Sequence, residues 1–263
     1  MYGRRVLTVL RAIYALGALL VAIVGGMVCG TVFALPFIVL PRGRRERHSI
    51  RAATVFSAFV LRTVLFHRLE VTGDSGLSAD QGALFICNHR SWLDPVVMMG
   101  QTRSQGLSKD IIKYIPFIGI YGWLTGAVYF DRRSPRDRQR AREEVCMLLR
   151  SGARIHMFPE GTRSRSGELA ERVFLTLPKD CFAQGIPVVP CAVWGTENTL
   201  PVRGVAAFPF QSSRLHVGRA LQPADFHDAD AFADACWARV RQHVTELRER
   251  EGMPGAGFEP ALP

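Results

Sequence analysis

Several familiar devices are missing from this 263-residue chain. It has no P-loop, no Gly-x-Gly-x-x-Gly fingerprint and no His-Glu-x-x-His helix, which sets aside the commonest nucleotide-binding and zinc-hydrolase designs. No Gly-x-Ser-x-Gly elbow supports a serine hydrolase. Its six cysteines (Cys29, Cys87, Cys146, Cys181, Cys191 and Cys236) form no Cys-x-x-Cys pair and no zinc spacing, and read as small buried residues of a reducing compartment. Charged residues are scarce, 21% against 48% hydrophobic, which excludes a disordered chain. No internal repeat is visible, and the length admits one large domain with an accessory segment but not several enzymes. Only three of the 33 basic residues are lysine, a bias we attribute to genome composition.

The charge that is present is unevenly distributed. The total is +10, yet residues 1–70 alone carry ten arginines against two glutamates, a net of +8. Between Ala12 and Leu40 there is no charged residue at all. Such a run is long enough for a bilayer, which needs about 20 apolar residues, and too long for a secretory core of roughly 7–15. Arg4, Arg5 and Arg11 precede it; Arg42, Arg44, Arg45 and Arg47 follow it. One geometry is a single spanning helix. The other is a hairpin dipping into one leaflet, bent near Gly25-Gly26 and broken at Pro36. Arginines at both ends fit the hairpin slightly better. Residues 50–66 then predict an interfacial helix with Arg51 and Arg62 snorkelling from its flank. This placement of charge beside an apolar run points to membrane lipid and away from nucleic acid.

Beyond residue 67, short apolar runs at 67–71, 83–87, 127–130, 153–158, 187–193 and 214–218 predict strands of a largely buried sheet. Ser134 as N-cap and Pro135 at the first helical position open a helix that Gly152 stops. A second helix spans about 228–250, with Phe232, Cys236, Val240, Val244 and Leu247 at helical spacing. The six arginines from Arg132 to Arg142 read mainly as a solvated face. Strands alternating with helices predict an α/β fold with a central, mostly buried sheet flanked by helices. The Pro/Gly-rich tail 251–263 reads as disordered.

Two motifs carry chemistry. In Ile86-Cys-Asn-His-Arg-Ser-Trp-Leu-Asp-Pro95, His89 follows a strand and Asp94 stands at a helix start marked by Pro95. Five residues round that turn bring the carboxylate onto the imidazole. One ring nitrogen is then held protonated, and the other becomes a base for an alcohol. The second motif, Phe158-Pro-Glu-Gly-Thr-Arg-Ser164, also follows a strand, and brackets Glu160 between Pro159 and Gly161. Arg163 presents a planar fork that matches phosphate oxygens. Gly73-Asp-Ser-Gly76 reads as a turn and not as a protease motif.

With these motifs the chain resembles the glycerophospholipid (PlsC-like) acyltransferases, typified by 1-acylglycerol-3-phosphate acyltransferase. Asn88-His89-x-Ser91-x-x-Asp94 resembles the family's catalytic His-x4-Asp motif. Val128-Tyr-Phe-Asp-Arg132 is similar to its second block, whose arginine contributes to the acceptor phosphate site. The Phe158–Ser164 segment resembles the third, acceptor-binding block, and Ile186-Pro-Val-Val-Pro190 the fourth, associated with the acyl side. Lys109, Pro116 and Gly119 also fall where the family commonly has such residues. The likeness covers about residues 68–220. One segment departs from it: 171–182 lacks the Phe-Lys-x-Gly of many members, which leaves the acceptor open.

The resemblance implies an acyltransferase domain over 68–250, preceded by membrane-anchoring helices within 1–67. It implies transfer of a fatty acyl group from an acyl-CoA or acyl carrier protein thioester to a lysophospholipid hydroxyl, 1-acyl-sn-glycerol 3-phosphate first among acceptors. His89 and Asp94 are the expected catalytic pair, with Arg132, Glu160, Gly161, Thr162 and Arg163 at the acceptor. Glu160 is assigned to acceptor binding or loop positioning and not to proton transfer. A thiolate leaves readily, so neither metal nor cofactor is expected. Ser91 as an acyl-enzyme nucleophile is a lesser option. The expected location is the cell membrane, with the catalytic domain on the cytoplasmic side. The alternatives are the same chemistry on another lyso-lipid, such as lyso-ornithine lipid, or a non-catalytic membrane lipid-binding protein.

Overall fold

Each apolar run expected as a strand becomes one. The computed structural model describes residues 38–252 apart from 116, 117, 165 and 202–207, together with 13, 14, 16, 17 and 21. Its strands are β1 (Arg68–Gly73), β2 (Ala83–Cys87), β3 (Gln105–Lys109), β4 (Val128–Phe130), β5 (Arg154–Met157), β6 (Val188–Trp194) and β7 (Ser212–Val217). They form one sheet in the order β1-β7-β6-β2-β5-β3-β4, parallel throughout except between β6 and β7. β3 is the strand that the apolar pattern misses. Its sequence QGLSK is weakly apolar, and it extends because Gln105 pairs with Ile155 and Leu107 with Val128.

The helices are α1 (Arg42–Phe59), α2 (Asp94–Thr102), α3 (Ile118–Thr125), α4 (Pro135–Arg150), α5 (Thr176–Ala183), the single turn α6 (Thr196–Thr199) and α7 (Ala229–Gly252). They cover both faces of the sheet, so a central strand is apolar on both sides. In β2, Leu84 and Ile86 meet Val145, Leu149, Phe232 and Val240 of α4 and α7. Ala83, Phe85 and Cys87 point the other way, towards Val97 and Met98 of α2 and Leu61. Fully burying one such side chain stabilises by about 1.5–3 kcal/mol. These faces make the fold a single α/β domain around a mixed sheet.

The start of α4 follows its sequence signal. The N–H of Asp137 donates to Ser134 Oγ at 3.2 Å, and Gly152, at φ +90°, ends the element. The Gly73–Gly76 segment is a turn, in which Asp74 accepts from the N–H of Gly76 at 3.1 Å and Ser75 from Leu77 at 3.3 Å. The five described cysteines are buried and free.

The helix expected at 50–66 begins instead at Arg42 and finishes as a π-turn, Val60–Val64. Arginines that read as a mere flank are drawn into it by ion pairing. Arg42 bonds Glu46 one turn on at 2.8 Å and Glu144 of α4 at 2.9 Å. Glu46 is buried and accepts from Gln105 Nε2 at 3.1 Å. Gly126 has φ +79°, and a Cβ there would stand 2.5 Å from the Glu46 carboxyl, so that position requires glycine. Ile50, Ala53 and Leu61 face the domain, while Arg51, Val55, Phe59 and Arg62 face outwards. The uncharged run 12–40 lies outside the described residues apart from 13, 14, 16, 17, 21 and 38–40, and so does the tail beyond 252. Among the described residues no helix is long and apolar enough to cross a membrane.

Two buried histidines couple this fold to pH. His67 lies between Thr199 Oγ1 (2.7 Å) and Ser213 Oγ (2.8 Å), and His156 of β5 bonds Ser104 Oγ at 2.8 Å. Burial pushes both imidazoles down to about 4, from an ordinary value of 6.5. Between those values the unfolded chain binds protons that the folded chain does not, so stability falls on acidification from pH 6.5 and levels off near 4. Each histidine contributes about 3 kcal/mol to that loss. Urea unfolding from pH 7 to 4.5 is expected to show a falling midpoint, with a flatter profile in His156→Asn. A midpoint independent of pH would contradict the burial of both rings.

Candidate active site

Because β2, β3, β4, β5 and β6 run parallel, their carboxyl ends lie along one edge of the sheet, where ligands of open α/β sheets bind. His89 follows β2, Lys109 ends β3, Arg132 follows β4, Glu160–Arg163 follow β5 and Thr196 follows β6. Segments distant in sequence thus meet at one place.

The end of β2 is fixed first. Asn88, fully buried, donates through Nδ2 to the Val193 carbonyl (3.0 Å) and accepts at Oδ1 from the Val193 N–H (2.8 Å). One side-chain amide therefore continues the β2–β6 ladder past its last backbone pair, and His89 leaves the sheet from a clamped position.

His89 and Asp94 meet as the spacing predicts, with Nδ1 and Oδ2 2.8 Å apart. A carboxylate only accepts, so the ring proton sits on Nδ1 and the lone pair on Nε2. Asp94 is inaccessible to solvent, whereas the imidazole is 15% exposed. Oδ2 also accepts the N–H groups of Arg90 (2.6 Å) and Ser91 (2.7 Å), and Oδ1 accepts Thr196 Oγ1 (2.5 Å). Such a set of donors satisfies both oxygens of a buried carboxylate. Phe158 stacks on the His89 ring at 4.1 Å and fixes its plane. The arrangement can take a proton at Nε2 and stabilise the imidazolium that results.

The turn after β5 is tied to the same loop. Glu160 accepts the N–H of His89 at Oε1 (2.8 Å) and that of Ala170 at Oε2 (3.1 Å), while Ser164 N–H donates to the His89 carbonyl (2.8 Å). Burial raises the Glu160 carboxyl above its ordinary range, and the two backbone donors oppose that shift. Both oxygens accept backbone N–H groups, so the carboxylate ties the loop after β2 to the one after β5. Gly161 takes φ +68°, and its carbonyl accepts from Arg132 Nη1, joining this turn to the end of β4. Thr162 is exposed, and Arg163 lies over the Trp92 ring at 4.2 Å. Burial, then the charges of Arg132 and Arg163, push the Lys109 ammonium below its ordinary range, so these three cations share one region.

Ser91 is buried, donates to the Leu200 carbonyl at 2.7 Å and accepts from the Leu93 N–H at 3.0 Å, so its hydroxyl serves the loop. Sequence reasoning left Arg90, Phe158, Thr196 and Glu197 without a role. Arg90 pairs with Glu197 (Nε to Oε1, 2.7 Å), bonds the Gly167 carbonyl (2.6 Å) and stacks on Trp194 at 3.9 Å. Thr196 and Glu197 stand one and two residues past Gly195 at a strand end, the available signal. Their partners, more than a hundred positions away, leave no local pattern. Among the described residues no group of three or more His, Cys, Asp or Glu is arranged to hold a metal ion.

A family model described as Acyltransferase matches residues 68–194. The chain is 31% identical over 174 residues to the chloroplastic 1-acyl-sn-glycerol-3-phosphate acyltransferase LPAT1 of Arabidopsis thaliana, covering 63% of this chain and 46% of that protein. It is 28% identical over 180 residues to the 1-acyl-sn-glycerol-3-phosphate acyltransferase of Salmonella typhimurium, covering 63% and 68% respectively. The match thus spans less than two thirds of the first relative's length. The crystal structure of the 1-acyl-sn-glycerophosphate acyltransferase PlsC from Thermotoga maritima superposes with a TM-score of 0.76 over 94% of this chain and 98% of that one, at 22% identity, a likeness of fold.

The Asn88 clamp is open to direct measurement. Asn88→Ala leaves the buried N–H and C=O of Val193 without their partner, and is expected to destabilise by about 2–4 kcal/mol in urea unfolding. A change below about 0.5 kcal/mol, the range of surface substitutions, would remove the clamp from the account.

Proposed function

We propose that this chain, which is similar to the acyltransferase family over residues 68–194, transfers a fatty acyl group from an acyl-CoA or acyl carrier protein thioester to 1-acyl-sn-glycerol 3-phosphate, giving phosphatidic acid. The observation that carries this reading is the His89–Asp94 pair standing at the same sheet edge as Lys109, Arg132 and Arg163. His89 Nε2 takes the proton of the acceptor hydroxyl as its oxygen attacks the thioester carbonyl. The carbon–sulfur bond then breaks, and the thiolate leaves with the proton that His89 returns. Asp94 remains ionised throughout and stabilises the imidazolium. Catalysis by such a base is worth about 10²–10⁴-fold.

Arg132 and Arg163 both repel Lys109, and a phosphate monoester placed among them relieves that repulsion. This favours an anionic acceptor over lyso-ornithine lipid, whose head group brings an ammonium of its own. Gly161 and Thr162 shape the turn that presents Arg163. The internal bonds of Ser91 favour direct transfer over an acyl-enzyme. A purely lipid-binding role gives no use to a histidine aligned by a fully buried carboxylate.

The same reading puts the chain at the cell membrane, with its catalytic edge turned to the cytoplasmic leaflet, where thioester donors are found. The +8 of residues 1–70 supports attraction to anionic lipid. So does an aromatic pair at the sheet edge that holds His89. Phe66 and Phe210 precede β1 and β7, stack at 4.9 Å, and are 51% and 71% exposed. Both have positive φ, 46° and 59°, a conformation that costs a bulky residue about 1–3 kcal/mol. Trp92, Ile111 and Tyr114 are exposed along the same edge. An apolar rim of this kind seats in the interfacial region of a bilayer.

Purified protein offered labelled acyl-CoA and a panel of lyso-lipids, with products resolved by mass, is expected to acylate 1-acyl-sn-glycerol 3-phosphate. His89→Ala should lower turnover by about 10²–10⁴-fold, and Arg163→Ala should mainly raise the acceptor KM. Near-normal turnover in His89→Ala would sink the mechanism. For the rim, Phe66→Ala/Phe210→Ala is expected to weaken sedimentation with phosphatidylcholine/phosphatidylglycerol vesicles by about tenfold. Unchanged partition would move membrane contact elsewhere.

A further inference from the structure

We infer that Thr196 is a positioning residue of the site, holding Asp94, and through it His89, in the productive orientation. The inference rests on the acyl-transfer reading and adds to it a residue from outside the His-x4-Asp segment. Three donors converge on Asp94 Oδ2, namely His89 Nδ1 and the N–H groups of Arg90 and Ser91. Oδ1 receives the Thr196 hydroxyl at 2.5 Å. Asp94 and Thr196 are both fully buried, so bulk water does not reach the bond to stand in for it. Without that hydroxyl a buried carboxylate oxygen loses its donor. The carboxylate then gains by rotating about Cβ–Cγ to share its remaining donors between both oxygens. That rotation draws Oδ2 off the line to Nδ1.

Thr196 is itself fixed in place from three directions. It follows Gly195, which has φ +84° and where a Cβ would stand 2.8 Å from the Ser212 carbonyl, so the turn out of β6 depends on glycine. Its carbonyl accepts the Leu200 N–H at 3.1 Å. Its neighbour Glu197 pairs with Arg90, whose own N–H is one of the Asp94 donors. The segments after β2 and β6 are therefore joined through Thr196 to Asp94, Glu197 to Arg90 and the Leu200 carbonyl to Ser91. The Gly167 carbonyl, held by Arg90 at 2.6 Å, links the acceptor-side loop to the same joint. Thr196 is inaccessible to solvent, so it touches no substrate, and its loss acts on the imidazolium formed during transfer and not on binding.

The test uses the full chain in detergent micelles. Thr196→Val keeps the shape and deletes the hydroxyl; it is expected to lower kcat by about 10–100-fold, with KM for donor and acceptor within about twofold. Thr196→Ser restores the hydroxyl and should recover kcat to within about threefold of the wild type. The low-field proton resonance of His89 Nδ1–H, assigned by its loss in His89→Ala, should move upfield in Thr196→Val and return in Thr196→Ser. Because the resonance needs no turnover, a protein that transfers no acyl group would refute the acyl-transfer reading while the role of Thr196 was still judged. An unmoved resonance in Thr196→Val would overturn the inference whatever happened to kcat. So would a Thr196→Ser variant no better than Thr196→Val, which would assign the residue to packing.

Discussion

A carboxylate without access to water has to be met by donors from every side, and Asp94 imposes that demand where the fold has most to coordinate. Leaving such a charge unpaired costs several kcal/mol, comparable to the whole stability margin of a domain. The chain meets the demand with two N–H groups from the loop after β2, an imidazole from the same loop and a hydroxyl from the end of β6. Satisfying Asp94 therefore curls residues 89–94 into one conformation and sets the start of α2. It also brings the end of β6 beside the end of β2, a closure that Asn88 reinforces one residue earlier. The His89 ring is aligned as a by-product of solving a burial problem.

The other buried carboxylates follow the same rule at other joints. Glu160 gathers backbone N–H groups of the loops after β2 and β5, and Glu46 gathers Arg42 and Gln105, holding α1 to the sheet. Internal anions in this protein serve as fasteners. The cations at the site are arranged differently. Arg132 and Arg163 engage a carbonyl and an aromatic face, and Lys109 feels the charge of both. A carbonyl or a ring face leaves a guanidinium its positive charge.

What could be read in advance follows the range of the interactions concerned. The unbroken apolar run of β2, the Ser134 cap and the turn at Gly73–Gly76 are each written in residues within a few positions of each other, and all were legible. His89 and Asp94 were legible for the same reason: five residues suffice to bring the carboxylate back. β3 was not, because QGLSK becomes a strand through neighbours contributed by β4 and β5. The start of α1 was hidden because Arg42 is drawn in by Glu144, 102 positions away. Thr196 and the Arg90–Glu197 pair were hidden likewise, since periodicity carries no information about which strand end a loop will meet.

The turn after β5 shows why the two motifs belong together. Within four residues it passes from Glu160, buried and bonded to the His89 backbone, to Arg163, over Trp92 in the company of Lys109 and Arg132. One end of the turn faces the histidine loop and the other faces the cations. The proposed reaction makes a cation on His89 while its acceptor carries an anionic phosphate, and it needs both signs of potential close together. If the two were freely exposed, solvent would screen them and the charges would partly cancel. Burying the carboxylates beneath the backbone, while Arg163 is held against a ring, separates the two fields without separating the residues. In the proposed reaction the proton is taken where the potential is negative, and the phosphate is held where it is positive. The Pro159–Gly161 turn is short enough to keep those two demands in register.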